Sequence, residues 1–263
     1  MSASYRIGTT SFVYPARWID NARRLAGRVR DVELLMFDPP TPQSLPSAAE
    51  VDALARLAEE TGLGYTVHAP IGFALASEDP DRRRVAVDAI AKVVRHTARL
   101  APHAVVVHLA PGEREGEPPP PDAAAFQRRA VASLREVLAT GLPAERLCLE
   151  TLEYDFALAE PVVDALGLSV ALDVGHLARD GVAFDAVLAR NLARTRVVHW
   201  HGTDPAGRDH RSLRHYPRGE AVRLLRALRA GGFAGVLTLE VFGEQDLEES
   251  LALVAELSPE VSA

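Results

Sequence analysis

Eight short apolar runs, each trailed by a stretch with apolar residues at helical spacing, constrain the fold of this chain more tightly than any other feature. The runs read as strands at 5–11, 31–37, 64–68, 104–109, 146–151, 169–174, 196–201 and 235–241. Helical spacing recurs at 48–61, 82–101, 122–140, 182–192, 219–230 and 246–256, with 17–27 and 156–166 completing the set. Strands that alternate with helices pair in parallel. Eight such units in 263 residues match a (β/α)8 barrel, typically about 250 residues long. The expected fold class is therefore α/β, a (β/α)8 TIM barrel, with 1–263 as a single domain. A doubly wound open sheet is the alternative. It would normally begin with a glycine-rich turn, and no GxGxxG or Walker sequence occurs, so no nucleotide cofactor is expected.

Loop lengths agree with the barrel. Helix-to-strand connections are tight (TGLG, GLPAER, GGFAG), whereas several strand-to-helix connections are long: DPPTPQSLPS, APGEREGEPPPPD and GTDPAGRDHRSLRHYPRG. Barrel enzymes build their sites from the second kind. Composition narrows the setting. No apolar run is long enough to cross a bilayer and the N-terminus lacks a signal-peptide layout, so no membrane partner is expected. Cys148 is the only cysteine, which excludes an internal disulfide framework and points to the reducing cytoplasm. A net charge of −7 argues against a broad nucleic-acid surface. Lys92, the only lysine, lies in a helical stretch far from any strand end, so Schiff-base chemistry has no natural place.

The strand ends carry acids and imidazoles. Strand three ends in His68, strand four in His108 and strand five in Glu150, and strand six supplies Asp173 and then His176. Strand seven supplies His199 and His201, with Asp209 and His210 in the loop behind it, and strand eight ends in Glu240. In a parallel barrel these ends converge on one mouth. Any one of these residues alone has an ordinary structural explanation. Several carboxylates buried together are costly unless cations neutralise them, and mixed imidazole and carboxylate ligands suit Zn, Mn, Fe or Co. Cys148 shares the parity of Glu150 and is expected to fill the barrel interior. Glu33 points from strand two toward the mouth, to pair with an arginine or to serve chemistry. His96 and His103, at the end of a helix, are expected to face solvent, and His215 to lie in the arginine-bearing loop.

The ordered set His68, His108, Glu150, DVGH (173–176), His199, Asp209-His210 and Glu240 resembles the xylose-isomerase-like barrel superfamily over the whole chain. That group includes sugar isomerases and epimerases and the endonuclease IV type of DNA-repair enzyme. The resemblance implies that Glu150, Asp173, His199 and Glu240 hold one divalent ion. It implies that His68 and His108 bind a second ion with Glu150 as the bridge. A third ion would use His176 with Asp209, His210 or both; the family spaces that last pair by one residue, and here it is contiguous. Two or three divalent ions (Zn, Mn, Fe or Co) are thus the expected cofactors, with Glu150 and Glu240 as the catalytic carboxylates.

Two chemistries compete. One ion would bind vicinal sugar oxygens while Glu150 and Glu240 shuttle protons between carbons. Two or three ions would activate a water against a phosphoester and stabilise both attacking and departing oxygens. The extra histidines favour the second, a metal-dependent phosphodiesterase. Most arginines fall on helices, but Arg208, Arg211, Arg214 and Arg218 cluster in the loop after strand seven, which suits one small phosphorylated substrate better than a duplex. The segments IGTTSFVYP and NARRLAGRVRDVELLMFD, with the later DHRSL, are similar to the cobamide-remodelling branch of the superfamily. That branch cleaves the nucleotide loop of corrinoids. The resemblance implies a corrinoid substrate; the expected substrate contacts are Arg208, Arg211 and Arg214 from the loop cluster and His201 from its strand parity, with Tyr14, Phe12 and Trp18 offering apolar faces to the macrocycle.

Overall fold

Every strand expected from the apolar runs is present, and all eight close on themselves in chain order. They are β1 (Arg6–Thr10), β2 (Asp31–Leu35), β3 (Gly64–His68), β4 (Val105–Val107), β5 (Leu147–Glu150), β6 (Ser169–Asp173), β7 (Thr195–Trp200) and β8 (Val236–Leu239). Every neighbouring pair is parallel, and β1 pairs with β8 to seal a (β/α)8 TIM barrel. The computed structural model describes residues 5–37, 44–112 and 117–262. Residues 38–43 and 113–116, within the long loops expected after strands two and four, lie outside the described residues.

Strand parity builds two cores. Val32, Leu34, Val67, Val105, Leu149, Leu172, Val198 and Leu237 face outward and join one large apolar layer under the helices. The opposite parity fills the barrel with small side chains: Ala104, Val106, Cys148, Ala171 and Val197 form a separate inner cluster. Cys148 is fully buried there, as expected, and burial pushes its thiol up to about 12. On top of this small layer the same parity delivers Glu33, His68, Glu150, Asp173, His199 and Glu240, all buried.

The helices are α1 (Trp18–Leu25), α2 (Ala48–Thr61), α3 (Pro80–Thr97), α4 (Ala123–Leu138), α5 (Glu160–Leu166), α6 (Val174–Arg179), α7 (Phe184–Asn191), α8 (Arg218–Ala230) and α9 (Glu244–Ser262). α2 opens on a capping box between Ser47 and Glu50. α3 starts two residues before its expected boundary because Asp79 caps it and Pro80 takes the first turn. The expected helix over 156–166 is broken into a 3₁₀ turn, Phe156–Leu158, and α5. Helix α6 was not expected. It begins directly on β6, with the Asp173 carboxylate accepting the His176 N–H at 2.7 Å as its N-cap.

Candidate metal centre at the barrel mouth

Glu150 stands at the centre of the C-terminal mouth, and its two oxygens face different partners. Oε2 lies 3.0 Å from Nε2 of both His68 and His108. Oε1 lies 3.0 Å from Nδ1 of His199, which is also 3.4 Å from Glu240 Oε2. Burial alone would push the Glu150 carboxyl up, but His199 and His108 outweigh it and hold it well below the usual range. His199 runs the other way: burial opposes its charge, yet Glu33, Glu240 and Glu150 raise it well above an ordinary imidazole.

The far ring nitrogens set which atoms are free for a cation. His199 Nε2 lies 3.0 Å from Glu33 Oε2 and Nδ1 lies 3.0 Å from Glu150 Oε1, so a ring held by Glu33 through Nε2–H would present Nδ1 to a cation beside Glu150. His68 Nδ1 likewise donates to the Ala69 carbonyl at 2.8 Å, which aims Nε2 at Glu150. Glu33 therefore pairs with a histidine rather than with an arginine.

A third cluster sits beside the first two. His176 Nδ1 is 3.1 Å from Asp173 Oδ2, and its Nε2 is 3.7 Å from Asp209 Oδ2. His210 Nε2 is 4.0 Å from the same Asp209 oxygen, and its Nδ1 is 3.6 Å from Glu240 Oε2. The loop behind β7 folds back through a Gly202–Arg211 bridge. His210 adopts a left-handed φ of 52°, which breaks the alternation that would send adjacent side chains apart. Asp209 and His210 can therefore both face His176 although they are contiguous.

The donor set fits divalent ions. Donor atoms of His68, His108 and Glu150 lie within 4.8 Å of one another, and so do those of Glu150, Asp173, His199 and Glu240. Glu33 Oε1, Asp173 Oδ2, His176 Nδ1, His201 Nε2 and Glu240 Oε2 are buried without a hydrogen-bond partner. Among the described residues, the ion pairs of Glu33, Glu150, Asp173 and Glu240 are to imidazoles alone. Buried carboxylates and stranded lone pairs at this density are what a cation would relieve.

A cavity of about 540 Å³ opens over the cluster, touching His68, His108, Glu150, His176, Asp209 and Glu240. Its far wall is apolar: Phe12, Phe37, Ile71 and Phe242 follow β1, β2, β3 and β8, which are neighbours in the barrel.

The expected substrate contacts fall elsewhere. Arg208 pairs with Asp204 at 2.7 Å, Arg211 with Asp246 at 3.3 Å, and Arg214 and Arg218 with Glu256 on α9. None of the four lines the cavity, because acids nearer in space take their guanidiniums. Tyr14 is buried behind the barrel wall, receiving a hydrogen bond from Arg28 at 2.6 Å. Trp18 is buried as well, donating to the Leu35 carbonyl. Of the expected aromatics, Phe12 lines the cavity. His201 is fully buried below it. His96 and His103 are half-buried and bonded to Pro46 and Arg196, while His215 is exposed away from the cavity. Among the described residues, the arginine that does line the cavity is Arg179, on the unexpected α6, holding Asp209 at 2.8 Å. Its position one helical turn after His176 was the available signal.

A sequence profile described as xylose isomerase-like TIM barrel matches residues 20–257. Among solved structures, a D-tagatose 3-epimerase-like protein superposes with a TM-score of 0.77 at 18% identity, covering 98% of each chain. Endonuclease IV from Thermus thermophilus superposes at 0.71 with 22% identity, over 95% of this chain and 99% of that one. The D-psicose 3-epimerase of Clostridium cellulolyticum superposes at 0.72 with 19% identity, over 97% and 99%. At these identities the likeness speaks for the fold. No curated protein sequence matches the chain significantly.

Proposed function

Since the chain belongs to the xylose isomerase-like TIM barrel family, we propose that it uses two or three divalent ions at this mouth to hydrolyse a phosphoester. The observation that carries the reading is the split of Glu150, with Oε2 on the His68–His108 pair and Oε1 on His199. A single-ion isomerase needs only Glu150, Asp173, His199 and Glu240. His68, His108 and the His176–Asp209–His210 cluster would then have no part as ligands.

Bound ions would draw in the phosphate oxygens and make an attacking water more acidic. The chain's own residues do the rest. Glu150 keeps the first two ligand groups in fixed relation. Glu240, at the cavity wall and 3.6 Å from His210, is placed to move a proton at its Oε2. Glu33 holds the His199 ring by its Nε2–H. Arg179 keeps Asp209 turned toward His176.

The substrate proposed is a small phosphorylated molecule, a corrinoid. Its support is the similarity of residues 7–15 and 21–38 to the cobamide-remodelling branch, together with the apolar wall. Phe37, Ile71 and Phe242 are among the five exposed large hydrophobics of the described residues, and all three line this cavity. A free ketose or a DNA strand has less use for such a wall. The structural neighbours favour epimerisation as the second reading.

Metal analysis of purified protein separates the two: two or three ions per chain fit the hydrolase, and one fits the epimerase. Parallel assays with an adenosylated cobamide, abasic DNA and a ketose then test the substrate. The expected result is a cobinamide-type product, abolished by EDTA. Clean epimerisation of the ketose without a corrinoid product would overturn it.

A further inference from the structure

His201 is fully buried beneath the cavity, yet its ring reaches two of the proposed ligand clusters. The backbone N–H of His210 donates to its Nδ1 at 3.1 Å, and its Nε2 lies 3.5 Å from Asp173 Oδ1. An N–H aimed at Nδ1 leaves that nitrogen no room for a proton of its own. The Gly202 carbonyl is the more distant partner at 3.5 Å, so the His210 N–H at 3.1 Å decides the tautomer. A neutral ring therefore carries its proton on Nε2, facing Asp173, and a protonated ring nitrogen has no lone pair for a cation.

The imidazoles of His176, His201 and His210 are close enough together to share one ion. Resting on the metal-centre reading above, we infer that His201 is not the third ligand of that group but a positioning residue. It holds the His210 backbone through Nδ1 and sets its Nε2 against Asp173 Oδ1 at 3.5 Å, an electrostatic contact rather than a hydrogen bond, so that two proposed ligand groups keep their spacing. Two features of the chain accommodate it. Gly175, between Asp173 and His176, has no side chain; a Cβ there would lie 2.4 Å from the His201 ring. His210 is one of two non-glycine residues with positive φ among those described, and the bond to His201 stands against that strain.

The test uses full-length apoprotein titrated with Co(II), reading visible absorption and bound metal per chain. Wild type is measured first, then His201→Ala, His201→Asn, His201→Gln and Gly175→Ala. Every variant should saturate at the wild-type stoichiometry with the wild-type Co(II) spectrum, because no ligand has been removed. Affinity should fall about 10- to 100-fold in His201→Ala and Gly175→Ala, the usual cost of losing an outer hydrogen-bond partner. His201→Asn keeps an acceptor for the His210 N–H and His201→Gln a donor toward Asp173, so each should recover part of the loss. If the alanine variant does not fold, the Asn and Gln variants carry the comparison. Loss of one ion per chain, or a changed spectrum at saturation, would make His201 a ligand and overturn the inference. Wild-type affinity in every variant would reduce it to filler. Wild type that binds no Co(II) would remove the metal centre itself, an outcome read before any variant is made.

Discussion

The two ends of the barrel hold cavities of the same volume, about 540 Å³ each, with opposite charge arrangements. At the N-terminal end the cavity is lined by His103, Ser169, Arg194, Arg196 and the 231–235 turn. Its arginines are engaged. Arg196 donates to the His103 carbonyl at 3.0 Å, Arg194 pairs with Asp164, and nearby Arg6 lies 3.8 Å from buried Asp31. Burial also removes charge there, pushing Asp31 up to about 7 and His103 down to about 4, the latter helped by Arg6 and Arg196. At the C-terminal end Glu33, Glu150, Asp173 and Glu240 are all buried, with imidazoles as their ion-pair partners. Volume does not tell the ends apart. What does is that the N-terminal end sets arginines beside carbonyls and acids, whereas the C-terminal end gathers four buried carboxylates among imidazoles.

The sharpest way to break this contrast is Glu150→Gln, which removes the shared carboxylate. Activity on the phosphoester should fall about 10³-fold, the scale of losing a group that acts on transition-state charge. At least one ion per chain should be lost, while the far-UV circular dichroism stays that of the barrel. Retained turnover in a fully metallated variant would deny Glu150 its bridging role.

The N-terminal end makes a prediction of its own through Asp31. Its folded pKa of about 7 lies above the unfolded value near 3.8. Between those limits the folded chain keeps a proton that the unfolded chain has lost, so this group makes stability fall as pH rises. Asp31→Asn removes that dependence. The stability of the variant relative to wild type should grow by about 1.4 kcal/mol per pH unit from roughly pH 4 to 7, about 4 kcal/mol at most, then level off. Urea denaturation at pH 5 and pH 8 reads it. A difference independent of pH would mean that Asp31 is ionised in place by Arg6, and the two ends would then be less unlike than they look.

Much of this was legible in the chain because two periodicities carried it. Alternation within strands puts His68, Glu150, Asp173, His199 and Glu240 on the inner face, and the strand count announces the barrel that gathers them. The loop residues were less legible for a physical reason. Arg208, Arg211 and Arg214 looked free in sequence, but the acidic partners of the last two, Asp246 and Glu256, come from α9, far along the chain. Tyr14 read as a mouth residue because it follows β1, yet the turn before α1 carries it behind the wall. Arg179 was missed because α6 is a single short helix capped by a proposed ligand, Asp173, and has too few residues to show a period.

Adding metal to the apoprotein should stabilise the C-terminal end and leave the other untouched. At 100 times the dissociation constant, one ion contributes about 2.7 kcal/mol, a rise in Tm of roughly 5–10 °C for a chain of this size. Thermal melts with Mn, Co or Zn would show it. In Glu150→Gln the rise should shrink, whereas in Asp31→Asn it should equal that of wild type. A wild-type rise in Glu150→Gln would place the ions outside this cluster.

The smallest effects should come from the arginines outside both cavities. Arg208, Arg211 and Arg214 are half- to well exposed and each already faces a carboxylate, at 2.7 Å and 3.3 Å for the first two. Exposed pairs of this kind contribute about 0–1 kcal/mol and are screened by salt. Single alanine variants should therefore leave KM within about twofold of wild type and move Tm by no more than about 2 °C. The reasoning is one of competition: to hold substrate phosphate, each guanidinium would first have to leave a carboxylate and then reach a cavity that it does not line. A several-fold rise in KM in any one of the three variants would mean that the loop turns inward when substrate binds. The β7 loop would then supply the mouth with a cation that the static structure assigns to the outer surface, and the charge contrast between the two ends would narrow.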